Sequence, residues 1–276
     1  MERHERTVLV TGANSGIGLA TAIEVAREGM RSIGSVRSEA KGDVLRGAAA
    51  DAGVEVEVVL LDVNDADRCA EVIDELDLWG LVNNAGYALT GAIEDVPEDD
   101  ARALFDTMVF APMRLARLAL PAMRARGEGR IVNVSSILGR VSSPFGGWYA
   151  GAKHALEALS DALRVEVAGQ GVHVAMVEPG GFKTGIWEDL RDDITRAEDA
   201  GSRHTDALER FLRLPQLIEP IMGEPAQCAK TIATALTTRL PRDRYLVGID
   251  AQAINLTNRV TPTPVVDRVM RLVLGM

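Results

Sequence analysis

The stretch TVLVTGANSGIGLATAIEVAREG, residues 7–29, limits the possible folds more sharply than any other part of the chain. It reads as an apolar strand over Val8–Val10, a glycine-bearing turn, and a helix that ends near Gly29. Gly12 permits a tight turn, Gly16 lets the backbone approach a pyrophosphate, and Gly18 lets the helix pack closely on the strand. The start of such a helix offers free amide donors and a positive dipole end to phosphate. Glycines are common in turns everywhere; the placement between a strand and a helix makes this one a dinucleotide signal.

The rest of the chain continues the alternation. Strands are expected near Ser32–Val36, in VEVEVVLLDV, in LWGLV, over Ile131–Val134 and in VHVAMVEP. Helices are expected over Ala66–Leu76, through Pro97–Arg126 and from Trp148 onward. Strand and helix in turn through residue 178 argue an α/β, Rossmann-type doubly wound parallel sheet with helices on both faces. No boundary or internal repeat interrupts it, so residues 1–276 are read as a single domain.

At 276 residues the chain can bury a full two-faced core. Its net charge of −10 argues against nucleic acid, which needs a basic face. The opening MERHERT has no apolar segment, so no signal peptide is expected. No apolar run approaches the ~20 residues of a membrane span. Cys69 and Cys228 lie far apart without metal-type spacing and suit a reducing cytoplasm. The histidines form no ligand pair, and no metal is assigned.

Chemistry is suggested in SILGRVSSPFGGWYAGAK, residues 136–153. Tyr149 and Lys153 are four apart in a segment with helical apolar spacing, so phenol and ammonium can converge on one face. A free tyrosine titrates near ~10, and a nearby cation favours the phenolate, which brings proton transfer within range. Ser136, just past the strand-like run RIVNVS, adds a hydroxyl that could hold a carbonyl or carbinol oxygen against Tyr149. A Y-x-x-x-K spacing alone arises in many helices by chance, so the context carries the reading.

The cofactor reading extends along the chain. A ribose-binding acid is expected about twenty residues after the glycine turn. Ser35 stands nineteen residues after Gly16, with Arg37 and Lys41 beyond it. A basic group without the acid suits a 2′-phosphate, so NADP(H) is favoured over NAD(H); the alternative is a solvated loop arginine. Asp62 and Val63 fall where an adenine would lie, and the small residues of NNAG, Asn83–Gly86, would let a cofactor pass close to the backbone. After Pro179, Gly180 and Gly181 the pattern loosens. Residues 182–223 mix Phe182, Ile186, Trp187, Leu190, Phe211, Leu214 and Leu217 with many charges. They read equally as an apolar-lined substrate lid or as two short helices patching the core. EPAQCAKTIATALTTRL is a helix, RYLVG a last strand, and residues 251–276 a helical extension whose amphipathic tail is expected to dock on the protein.

Taken in order, TGANSGIG, Asp62-Val63, NNAG, Ser136, YAGAK and PGGFKT resemble the short-chain dehydrogenase/reductase family of the compact, single-domain kind, over about residues 7–250. The resemblance implies hydride transfer between a nicotinamide cofactor and an alcohol or carbonyl. It implies Tyr149 as acid/base, Ser136 as the group orienting substrate oxygen, and Lys153 as the residue that lowers the tyrosine pKa and binds the nicotinamide ribose. Cofactor contacts would come from Gly12, Asn14, Ser15, Gly16, Ile17 and Gly18, from Arg37, Asp62 and Val63, from Asn84, Ala85 and Gly86, and from Pro179, Gly180 and Thr184. The last of these would reach the nicotinamide amide or the phosphates. VNVSSILG and EPGGFKT are similar to the steroid- and retinol-dehydrogenase-like branch, which with the apolar lid candidates suggests a lipophilic secondary alcohol or ketone. A homodimer or homotetramer is implied, with the helices around Met113–Arg126 and Tyr149–Ala168 packed across a two-fold axis. One departure stands out: Met108 in FDTMVF occupies the place of an asparagine that helps hold a proton-relay water in the family. It is the one feature supporting a different reading, a catalytically weak or inactive nucleotide-binding redox sensor.

Overall fold

The computed structural model describes residues 2–185 and 190–276. Seven strands form one sheet in the order β3-β2-β1-β4-β5-β6-β7, with every neighbouring pair parallel. They are β1 (Thr7–Val10), β2 (Arg31–Val36), β3 (Glu57–Leu60), β4 (Gly80–Asn83), β5 (Gly129–Val134), β6 (Val172–Pro179) and β7 (Arg244–Val247). Helices α1 (Gly16–Arg27), α2 (Glu39–Asp51), α3 (Ala66–Leu76), α4 (Glu98–Phe105), α5 (Ala111–Arg126) and α6 (Gly147–Glu166) connect the first six strands. After β6 come α7 (Leu190–Asp199), α8 (Thr205–Ile218) and α9 (Pro225–Thr237), and after β7 come α10 (Ile249–Val260) and α11 (Thr263–Leu274).

The two-residue period of the strands divides the core into two layers. Val8, Val10, Val82, Val132 and Val177 face the side covered by α1 and α9, against Ala22, Val25, Ile232 and Leu236. Leu9, Ile33, Leu81, Ile131 and Val174 face the other side, against Val72 and Ile73 of α3 and Leu115, Ala119 and Met123 of α5. The chain winds outward from β1 through β2 to β3 and then returns to lay β4 on the opposite edge of β1. The crevice at the carboxyl ends of β1 and β4 is therefore where a ligand fits such a sheet.

Two local features differ from the sequence expectation. The helix through Pro97–Arg126 is broken by a π-helical turn over Asp106–Phe110. Pro112 has no N–H to donate to the Met108 carbonyl, so the i→i−4 ladder cannot run through this point and the backbone widens. VEVEVVLLDV contributes only Glu57–Leu60 to the sheet, so Asp62 and Val63 lie beyond the strand end.

Among the described residues, 182–223 hold two α-helices, α7 and α8. Leu190, Ile194, Ala197 and Leu208 turn inward, against Ala92, Phe145 and Leu274 of the body and tail. Asp193 accepts a hydrogen bond from the Thr90 amide (2.9 Å), which fastens α7 to the loop after β4. Ile186 and Trp187 lie outside the described residues. The tail docks on α8 through Leu274, whose carbonyl accepts from Arg210 Nη1 at 2.9 Å. Among the described residues, no helix is long and apolar enough to cross a membrane.

Candidate active site

A cleft of about 780 Å³ opens at the carboxyl ends of β1, β4 and β5. Its floor is the turn between β1 and α1. Gly12 (φ +66°) and Gly16 (φ +53°) hold left-handed backbone there. A Cβ at Gly18 would fall on the Gly12 carbonyl and the Asn84 amide. Ser15 occupies the N-cap of α1 yet makes no side-chain cap bond, which leaves the first-turn amides of α1 for an external anion. Thr184 stands across from Gly16, its methyl 3.1 Å from where a Gly16 Cβ would be. This cradle of bare backbone and uncapped amides fits the pyrophosphate of a dinucleotide.

Every sequence candidate for cofactor contact lines this cleft: Gly12, Asn14, Ser15, Gly16, Ile17, Gly18, Arg37, Asp62, Val63, Asn84, Ala85, Gly86, Pro179, Gly180 and Thr184. Their jobs differ. Asn84 donates its amide to the Thr11 carbonyl (2.9 Å), and the Thr11 hydroxyl accepts from the Asn84 and Ala85 amides (2.9 and 3.0 Å), so the Asn84 side chain locks β4 to the glycine turn. Asp62 Oδ1 accepts from the Asn64 amide (2.9 Å), which shapes the turn after β3. Gly180 and Gly181 are held by a residue the sequence did not single out: Asp250 at the start of α10 accepts from the Gly181 amide (2.5 Å). A Cβ on Gly180 would collide with that carboxylate.

The far end of the cleft brings Ser136, Tyr149 and Lys153 together. Ser136 ends the β5 segment and accepts from the Leu138 amide (3.1 Å), which sets its hydroxyl. Tyr149 and Lys153 project from adjacent turns of α6. Lys153 Nζ donates to the Val134 carbonyl (2.8 Å) and lies 5.7 Å from the centre of the Tyr149 ring. Met108 is buried in the same wall, with its Cε packed on Gly86. Leu89 and Trp148 join it in an apolar cluster around Tyr149.

The phenol titrates in the opposite direction from the sequence expectation. Burial pushes Tyr149 up to about 12, and the nearby Ser136 hydroxyl pulls it back only partly. The Lys153 ammonium, engaged by the Val134 carbonyl, does not reverse this. Burial brings Lys153 itself down to about 8, with the charge of Glu157 opposing the fall. Near neutral pH the pair is thus a protonated phenol beside a charged ammonium, a proton donor rather than a base.

Behind this end lie buried polar groups that reading the sequence did not find. Asn83 donates to Asn133 Oδ1 (2.8 Å), Asn133 to Ser160 Oγ (2.7 Å) and Ser160 to the Leu156 carbonyl (2.6 Å), which ties β4, β5 and α6 together. Glu157, Glu178, Arg140 and Arg244 form an ion cluster one helical turn beyond Lys153, on the same face of α6.

Comparisons with known proteins agree with this geometry. The chain matches the short chain dehydrogenase family over residues 6–195. YusZ of Bacillus subtilis, described as an uncharacterized oxidoreductase, is 34% identical over 89% of this chain and 90% of its own. Retinol dehydrogenase 7 of Mus musculus is 32% identical over 96% of this chain and 88% of its own. A short-chain dehydrogenase from Streptomyces avermitilis superposes with a TM-score of 0.77 at 33% identity, covering 97% of this chain and 99% of that one. A metagenomic short-chain oxidoreductase in complex with NADP (TM-score 0.68, 25% identity, 88% and 96% covered) and a Burkholderia phymatum enzyme in complex with NAD (0.78, 25%, 94% and 94%) share the fold.

Proposed function

The chain belongs to the short chain dehydrogenase family, an oxidoreductase of alcohol and carbonyl groups dependent on NAD(P), and from that premise we propose that it interconverts a lipophilic ketone and its secondary alcohol with NADP(H) preferred. The observation that carries the reading is the convergence of Ser136, Tyr149 and Lys153 at the end of a cleft whose floor fits a dinucleotide. Support for NADP(H) comes from Arg37 and Lys41 at the rim and from Ser35, buried where an acid would otherwise compete with a 2′-phosphate. Support for a lipophilic substrate comes from the apolar cluster around Tyr149 and from relatives named for retinol.

When bound, the nicotinamide supplies or accepts the hydride. The first-turn amides of α1 and Thr184 would hold its phosphates, Asp62 and Val63 would border the adenine, and Lys153 would take the adjoining ribose hydroxyls. In reduction, Ser136 and Tyr149 donate hydrogen bonds to the substrate carbonyl oxygen. As negative charge builds on that oxygen the Tyr149 proton moves to it, and the resulting phenolate is stabilised by the Lys153 ammonium. Oxidation runs the same proton backwards. The phenol is protonated at neutral pH, which suits the reductive direction.

The same reading includes assembly and setting. Phe110 before α5 and Leu159 and Val165 on α6 are exposed, and they suit a two-fold contact through α5 and α6 in a homodimer or homotetramer. The buried, unpaired Cys69 and Cys228 suit a reducing cytoplasm.

A carbonyl panel assayed with NADPH and NADH, for the native chain and for Tyr149→Phe, tests this function. The native protein should oxidise NADPH with apolar ketones faster than it oxidises NADH. Tyr149→Phe should bind cofactor normally and lose at least about 100-fold in rate, the low end of general acid catalysis. Retention of most activity by Tyr149→Phe would contradict the mechanism, and equal use of NADH would contradict the cofactor assignment.

A further inference from the structure

Glu157 follows Lys153 by one helical turn, so both side chains leave the same face of α6. Both are buried, Lys153 with 5% and Glu157 with 7% of its surface exposed. Beyond Glu157 lies Glu178 at the end of β6, fully buried, gripped by Arg140 through Nε (2.8 Å) and Nη2 (2.9 Å). Arg244 of β7 is divided among three carboxylates: its Nε is 3.2 Å from Glu157 and 3.2 Å from Glu178, and its Nη2 is 2.5 Å from Asp161. Arg164 takes up Asp161 (3.0 Å) and Asp243 (3.5 Å) at the outer edge. Glu157, Glu178, Asp161 and Asp243 thus face Arg140, Arg244 and Arg164, and Glu157 has only a share of one guanidinium. Lys153, one turn earlier on the same buried face, feels the charge of Glu157.

Glu157 also touches the other reactive element. The Ser135 hydroxyl and the Glu157 side chain close over Gly139, where a Cβ would lie 2.7 Å from Ser135 Oγ and 2.9 Å from Glu157 Cγ. The turn that follows Ser136 therefore rests on Glu157.

We propose that Glu157 is a positioning residue for the reaction: its carboxylate keeps the Lys153 ammonium charged and seats the strand end that carries Ser136, without touching substrate or cofactor. The proposal rests on the functional reading above and deepens it. Burial alone draws Lys153 down, and Glu157 is the group that opposes this. Burial and Glu178 push Glu157 up to about 6, while Ser135 and Arg244 hold it down, so it is ionised at neutral pH. The sign follows directly. With Glu157 neutral, Lys153 loses its support and gives up its proton at lower pH, so activity that needs the ammonium ends sooner on the alkaline side.

The test is Glu157→Gln, read by two independent measurements. The lysines of the chain are Lys41, Lys153, Lys183 and Lys230, so the Lys153 Nζ resonance is assigned in a ¹⁵N spectrum by its absence from Lys153→Met. In Glu157→Gln its titration should move down by about 1 pH unit, the low end for loss of a close opposite charge. The alkaline limb of kcat/KM should move with it, whereas a purely structural role would lower the rate at every pH and leave the limb in place. Glu157→Asp, which keeps the charge, should restore the limb. If Glu157→Gln does not fold, Glu157→Met serves instead, since it keeps the side-chain volume, removes the carboxylate without leaving a buried amide to satisfy, and must also lower the Lys153 titration. A folded variant with an unchanged Lys153 titration overturns the proposal. Absence of reductase activity in the native protein would overturn the functional reading alone, because the spectroscopic titration needs no turnover.

Discussion

Residues 7–179, together with α9 and β7, and the outer helices α7, α8, α10 and α11 treat their apolar side chains differently. In the first region β1, β4 and β5 are buried along their whole length, and both faces of the sheet are covered by helices. In the second, α10 and α11 leave Ile249, Leu256, Val260, Val265, Val269, Leu272 and Val273 exposed while Ala251 and Leu274 face inward. A parallel sheet specifies its own burial, because each strand needs cover on both sides. A helix added outside that sheet needs only one face against the body, and its other face is left to solvent or to a further contact. The cleft lies wholly in the first region except for Thr184 and its neighbours, which follow β6, and for Asp250, which reaches back from α10.

The largest effect should come from the body. Trp79 is fully buried at the start of β4, with the guanidinium carbons of Arg6 and Arg130 at 4.4 and 5.6 Å from its ring centre. Trp79→Ala should cost about 3–5 kcal/mol, the usual range for an aromatic removed from a core. Denaturant melts should show one transition at a lower midpoint, because the sheet unfolds as a unit. The site lies at the other end of the strands, so at low temperature cofactor affinity should be unchanged.

The outer region should respond to the same kind of change more locally. Leu208 of α8 is fully buried among Leu190, Ile194, Phe145 and Leu274. Leu208→Ala should cost that cluster about 2–5 kcal/mol. Hydrogen exchange is the measurement that separates the regions. Amides of α7, α8 and α11 should exchange faster while those of β1, β4 and β5 keep their protection, as for a unit that opens on its own. Equal acceleration throughout would mean that the two regions form one cooperative unit, and the contrast drawn above would fail.

Legibility in the sequence follows the range of the interaction that matters. The α3 boundaries could be read from Asp65, whose side chain accepts from the Arg68 amide (2.9 Å) as an N-cap does. The glycine turn and the Tyr149–Lys153 spacing were legible because a left-handed backbone and an i,i+4 pair are local constraints. The π-helical turn at Asp106–Phe110 was hidden, since a proline near a helix start ordinarily opens a helix rather than widening one that is already running. The ion cluster behind Lys153 was hidden for a different reason. Glu157, Glu178, Arg140 and Arg244 come from separate elements, and each alone reads as a solvated charge. The one visible hint was Glu178, an acid ending an otherwise apolar strand in VHVAMVEP. The direction of the Tyr149 shift could not be read from spacing at all, because it depends on burial that only the packed site reveals.

The smallest effect should come from the exposed face of the tail, and it is the most informative about what that face is for. Leu272 lies on α11 with 74% of its surface exposed, on the side away from Leu274 and α8. A surface change with no partner ordinarily moves stability by less than about 0.5 kcal/mol, so Leu272→Ser should leave the melting curve of a dilute sample where it was. Its solubility should rise, since it removes apolar surface that has no cover. The same measurement repeated over a range of protein concentrations sharpens the contrast between the regions. If the native midpoint climbs with concentration and that of Leu272→Ser does not, the face is covered by another copy and belongs to the fold after all. If neither depends on concentration, the burial rule that governs the sheet stops at β7, and the outer face of α11 is surface.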